Sequence, residues 1–184
     1  MDDDTENRHY GVDSDCHFTG HAGMYGRLCS MSMAILTSCQ YQNHRLINLI
    51  VLHCSATRCD RNYSLEDCRR DHLARGFANI GYHFYITRDG MVYAGRPLYQ
   101  EGAHAQGYNK YSIGVCYEGG LDSSGRPADT RTEAQRRTLD ALLLRLREDY
   151  PHARVVGHRD LPGVKKVCPC FEVASYELLV TSDV

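Results

Sequence analysis

The sequence predicts an α/β fold in which a central mixed β-sheet is flanked by helices. Two observations carry this. Five short apolar runs, rich in β-branched or aromatic residues, are interspersed with two amphipathic stretches that have helix-capping signals. Turn-forming or helix-stopping residues separate them, as at Arg88-Asp89-Gly90 and Pro151.

Leu46-Ile47-Asn48-Leu49-Ile50-Val51-Leu52 reads as a buried central strand that delivers His53 at its end. Ser64 is a fitting N-cap, with Glu66 and Asp67 in the first helical turn. Leu65, Cys68, His72 and Leu73 then line one helical side, and Gly76 ends the helix. Residues 82–86 form a second strand, and Asp89-Gly90 turns the chain into a third at 91–93. Residues 112–117 form a fourth, followed by a loop from Gly119 to Thr130. Thr132-Glu133-Ala134-Gln135 fits a capping box. The helix behind it sets Leu139, Leu142, Leu143, Leu146 and Tyr150 on one stripe. Arg154-Val155-Val156-Gly157 is a short strand running into His158, and a last helix is expected from Pro169.

The chain has 184 residues and a net charge of −2, which suits one domain with a tail. This near-neutral balance gives no electrostatic reason to expect a nucleic acid partner. No apolar run approaches the ~20 residues of a membrane-spanning helix. Nine cysteines cannot all pair within one chain, and they read as mostly free thiols of a reducing compartment. Residues 1–44 carry −4 and the remainder +2. The first stretch lacks periodicity and reads as a poorly ordered extension. Its acidic start is the opposite of a signal peptide's basic region. Leu36-Thr37-Ser38-Cys39 is similar to a lipoprotein cleavage box, a second reading of that stretch.

Three segments carry chemistry: VLHCSAT at 51–57, GYHF at 81–84 and GHRDLPGVKKVCPCF at 157–171. His53 and His158 each follow a β-branched run, and neighbouring strand ends would bring the imidazoles together. A thiolate from the following loop would complete two nitrogens and one sulfur. That leaves a fourth tetrahedral position open on Zn²⁺, the pattern of a catalytic site. Spacing alone leaves Cys168, Cys170 and Cys54 as alternatives for the thiolate. His83 follows Tyr82 and so faces the other way, in a structural role. Arg88, Arg96 and Arg159 are candidates for pairing with carboxylates.

HCSAT, GYHFYITRDG, GAHAQGYN at 102–109, SIGVCYEGG at 112–120, TEAQ, GHRD and CPCF stand in this order along the chain. Together they resemble the zinc-dependent N-acetylmuramoyl-L-alanine amidases of the phage-lysozyme type, whose fold is shared with peptidoglycan recognition proteins. The resemblance spans about Leu46 to Val173, roughly 70% of the chain. It implies Zn²⁺ as cofactor, with His53, His158 and Cys168 as the metal ligands. It implies Tyr82 and Lys166 as catalytic residues, with Lys165 the neighbouring alternative. It implies that His104 and Asn109 line the substrate groove.

The expectation is therefore a zinc amidase domain at 45–175, between the extension at 1–44 and a tail at 176–184. Its partner is bacterial peptidoglycan, and it acts as a monomer. It stays in the cytoplasm until lysis releases it to the cell wall, as an endolysin of a phage or prophage does. The rival expectation is a recognition module that binds peptidoglycan without cutting it.

Overall fold

A computed structural model describes residues 45–174 and 176. The expectations for the extension at 1–44, for the lipoprotein-like Cys39 and for the tail beyond Tyr176 lie outside the described residues. The elements run β1 (Leu49–Cys54), β2 (Thr57–Arg58), α1 (Leu65–Ala74), β3 (Phe84–Ile86) and β4 (Val92–Ala94), then β5 (Ser112–Tyr117), β6 (Gly120–Leu121), α2 (Glu133–Asp149) and β7 (Arg154–Gly157).

The main sheet has the order β4-β3-β5-β1-β7. β1 pairs in parallel with β5 and β7, β5 pairs in parallel with β3, and β4 is antiparallel to β3. The sheet is mixed, as its sequence predicts. β1 is buried along nearly its whole length, which is what a continuous apolar run in a parallel sheet requires.

Alternation along β1 divides the molecule into layers. Ile50, Leu52 and Cys54 join the core that includes Leu139, Leu142, Leu143 and Leu146 of α2. Val51 belongs to a separate cluster with Ala105, Val156 and Leu161. Behind β3 and β5, Tyr85 and Cys116 pack with Cys68 of α1. The functional residues lie on this second face.

α2 carries its expected capping box, and at α1 the expected N-cap Ser64 forms one with Asp67. The Ser64 side chain accepts from the Asp67 N–H, and the Thr132 side chain accepts from the Gln135 N–H. Gln135 also donates through Nε2 to the carbonyls of Ile86 (3.2 Å) and Glu118 (2.9 Å), tying α2 to the sheet.

Five expectations need correction. β3 covers only Phe84–Ile86, so Tyr82 and His83 precede the strand expected at 82–86. β1 begins at Leu49, because its partner β5 begins opposite at Ser112; Leu46 lies 81% exposed. Leu73 is exposed, since Cys68 and His72 set the buried line of α1 and the next residue turns about 100° away. The loop from Gly119 contains β6, which pairs with β2 in a separate two-stranded sheet. No helix starts at Pro169; a turn runs through Cys168–Cys170, and Cys170 has a φ of +69°, which a right-handed helix does not allow. The next helical residue is Ala174.

Candidate metal centre

Parallel pairing of β1 with β7 sets Leu52 opposite Gly157. The next residues, His53 and His158, are therefore neighbours, with ring centroids 4.6 Å apart. β7 passes directly into a 3-10 turn at His158–Asp160, where Asp160 Oδ2 accepts from the Gly157 N–H at 2.8 Å. The turn at Cys168 reaches the same strand end. Its sulfur accepts from the Cys54 N–H at 3.3 Å and lies 3.8 Å from His53 Nδ1.

His53, His158 and Cys168 offer ligand atoms that all lie within 4.8 Å of one another. Among the described residues this is the metal-competent group of three. The donor chemistry suits a metal ion. Burial, with His104 and His158 nearby, holds His53 well below the ordinary imidazole range, so it is neutral with a free lone pair. Burial lowers His158 as well. The contact with Cys54 lowers the Cys168 thiol, toward the thiolate that a metal requires. Cys54 and Cys170 are not in the group; their sulfurs face each other at 3.7 Å.

Behind His53 runs a directed chain of hydrogen bonds. His53 Nε2 lies 3.0 Å from His104 Nδ1, and His104 Nε2 lies 3.4 Å from Ser112 Oγ. Ser112 Oγ donates to the Tyr108 carbonyl at 2.8 Å. That last bond sets the direction. Ser112 accepts from His104, His104 accepts from His53, and His53 is left with Nδ1 unprotonated toward Cys168. His104 fits because Gly102 and Gly114 flank its ring. A Cβ at either glycine would come within 2.5 Å of the His104 imidazole.

A cavity of about 230 Å³ is lined by the His53, His158 and Cys168 side chains. Tyr82, His104 and Lys166 line it; Lys165 does not. The Tyr82 ring lies 5.2 Å from the His53 ring. Burial raises its hydroxyl well above the ordinary phenol range, so it remains a proton donor. Asn109 is outside the cavity. Its Oδ1 accepts from the N–H groups of His104 and Ala105, both at 2.9 Å, and so braces the segment carrying His104. The Asn109 side-chain oxygen is thus engaged by its own loop, and the residue is half-buried.

Arg88, Arg96 and Arg159 do not line this cavity. Arg96 donates to the carbonyls of Ile80 and Glu101, and Arg159 pairs with Glu172. The cavity wall includes residues that the sequence reading did not single out for it: Tyr63, His72, Arg75 and Phe77. Their shared signal was position, since α1 and its C-terminal end face the sheet where Tyr82 sits. His83 does not line the cavity; its ring packs edge to face on His104, with centroids 5.7 Å apart, accepting at Nδ1 from the Gly114 N–H (3.0 Å) and donating from Nε2 to the Gln100 carbonyl (3.1 Å).

Two imidazoles and a thiolate at the carboxyl ends of parallel strands, under an open cavity, make a centre able to hold a metal ion with a free coordination position. The chain belongs to the N-acetylmuramoyl-L-alanine amidase family, whose Amidase_2 model matches residues 42–171. It is 38% identical to the endolysin of Klebsiella phage KP32 over 147 residues, covering 78% of this chain and 96% of the relative. It is 39% identical to the endolysin of Escherichia phage T7, with the same coverage. Among solved structures it resembles N-acetylmuramoyl-L-alanine amidase LysC from Clostridium intestinale. The TM-score is 0.60 at 32% identity, covering 72% of this chain and 82% of that one. No helix among the described residues is long and apolar enough to cross a membrane.

Proposed function

We propose that this protein hydrolyses the amide between the lactyl group of N-acetylmuramic acid and L-alanine in bacterial peptidoglycan, using zinc held by His53, His158 and Cys168. The observation that carries this is the convergence of those three side chains within 4.8 Å, in a chain of the amidase family.

A bound zinc ion supplies an activated water and polarises the scissile carbonyl. The chain's own residues do the rest. The His104–Ser112 chain fixes the tautomer and orientation of His53. Tyr82 stays protonated and offers an O–H to the oxygen that gains charge. Lys166, on the cavity wall, adds a positive charge for the same oxygen. The leaving amine takes up a proton, so one group at the site must deliver it.

One chain supplies all three ligands and both catalytic candidates, which supports action as a monomer. We take the functional unit to be the segment 45–175, most of which the family match at 42–171 overlaps. Its substrate places its action at the cell wall, reached from the cytoplasm on lysis.

The test is zinc stoichiometry measured beside hydrolysis. The full chain should bind one zinc ion and cleave. His158→Ala and Cys168→Ala should lose zinc and cleavage together while keeping the circular dichroism of the native fold. Full activity in Cys168→Ala contradicts the ligand assignment.

A further inference from the structure

Cys54 and Cys170 are a pair of thiols that the metal centre does not use. Their sulfurs stand 3.7 Å apart across 116 residues of chain. Both are anchored on fixed backbone. Cys54 ends β1, and its sulfur fills the space over Gly120, where a Cβ would sit 2.5 Å away. Cys170 ends a turn pegged at three points. The Tyr117 hydroxyl donates to the Pro169 carbonyl, and the Arg159 N–H donates to the Cys168 carbonyl, both at 2.8 Å. The Cys170 N–H donates to Val167 at 2.8 Å. Cys54 is buried and Cys170 half-buried, so a small oxidant reaches the second first.

From this geometry we infer that Cys54 and Cys170 are a site of intramolecular disulfide formation, which staples the Cys168 turn to the strand carrying His53. The two sulfurs, in contact at 3.7 Å, have to close to the ~2.05 Å of an S–S bond. The oxidant is a low-molecular-weight disulfide such as oxidised glutathione. The Cys170 thiolate attacks one of its sulfurs and expels one glutathione thiolate. The Cys54 thiolate then attacks Cys170 Sγ and expels the second. Two protein thiols lose two electrons and two protons, and one glutathione disulfide becomes two glutathiones. The end point of the exchange is the readout.

The consequence is specific to the metal centre. Cys168 also lies against Cys54, but metal ligation occupies its sulfur and leaves Cys170 as the partner. The crosslink then holds the ligand turn in place even without the metal. This rests on the zinc amidase reading in one respect, the protection of Cys168. An amidase working at the wall also leaves the reducing interior, where such a bond does not persist.

The experiment treats the full-length, zinc-loaded protein with oxidised glutathione, alkylates the remaining thiols and maps non-reduced peptides by mass spectrometry. The expected product joins Cys54 to Cys170, is lighter by two hydrogens, and retains its zinc. After chelation, the oxidised protein should melt about 5–10 °C above the reduced protein, and Cys170→Ser should show no such gap. The inference is overturned if both thiols stay free or remain capped by glutathione. It is overturned equally if either pairs with Cys16, Cys29, Cys39 or Cys168 instead. A protein that binds no zinc sinks the amidase reading, while the same peptide map still reports on Cys54 and Cys170.

Discussion

His53 and His104 meet edge to face, at an interplanar angle of 81°, with His53 Nε2 3.0 Å from His104 Nδ1. His104 therefore both borders the cavity and stands behind His53, a proposed metal ligand. Removing a partner of this kind typically weakens metal binding 10- to 100-fold. His104→Ala should lower zinc affinity by about that factor, measured by competition with a chromophoric chelator. Asn109→Ala, which frees the segment carrying His104, should act in the same direction and more weakly. Wild-type affinity in His104→Ala would remove the relay from the account.

Gly114 tests the same relay from the other side. Its Cβ would lie 2.5 Å from the His104 ring, and a Cβ at a second glycine, Gly102, would lie 2.4 Å from the same ring. Gly114→Ala should cost about 1–3 kcal/mol of stability by overpacking. It should also lower zinc affinity as His104→Ala does. Chemical denaturation and chelator competition on one sample check both effects.

Much of this was legible in the sequence because it follows from period and position. β5 and β7 were readable to the residue, since each is a short apolar run with clear ends. The meeting of His53 and His158 was readable because both leave parallel strands at the same end. The His104 relay was not. It depends on a fold of the 102–112 segment onto β1 that no local pattern encodes, and on two glycines whose role is to be absent. The bracing of that segment by Asn109 Oδ1, which accepts from the His104 and Ala105 N–H groups, was equally unreadable. The β2–β6 pairing was invisible because a two-residue strand has no period.

Tyr82 and Lys166 should separate metal binding from chemistry. Neither belongs to the three-ligand group, so Tyr82→Phe and Lys166→Ala should keep one zinc ion. Each should lower kcat by about 10²–10³ if it stabilises the developing charge. Lys165→Ala should leave kcat unchanged, because Lys165 does not line the cavity. Steady-state hydrolysis of a soluble muropeptide, with zinc content measured alongside, decides this.

The metal-free protein should lose stability in mild acid. Burial holds His72 and His83 at about 4, against 6.5 for an ordinary imidazole. Between those values the unfolded chain binds protons that the folded one refuses. The contribution is thus complete above about pH 6.5 and is lost as the pH falls toward 4, at about 1.4 kcal/mol per pH unit for each proton. His53 and His104, also held low by burial, add to the same slope. Asp67, held at about 2 by the Ser64 hydroxyl, loses its contribution only below about pH 4. Urea denaturation at several pH values should show a steep fall between 6.5 and 4, and a flat profile there would contradict the buried neutral imidazoles.

The central claim is hydrolysis of one particular amide at a zinc centre. Its most direct test is mass spectrometry of purified peptidoglycan digested by the full chain, with and without a zinc chelator. The expected result is release of stem peptides bearing a free N-terminal L-alanine, abolished by the chelator and restored by added zinc. Glycan–peptide linkages left intact, with muropeptide bound but uncut, would contradict the enzyme and leave a recognition domain in its place.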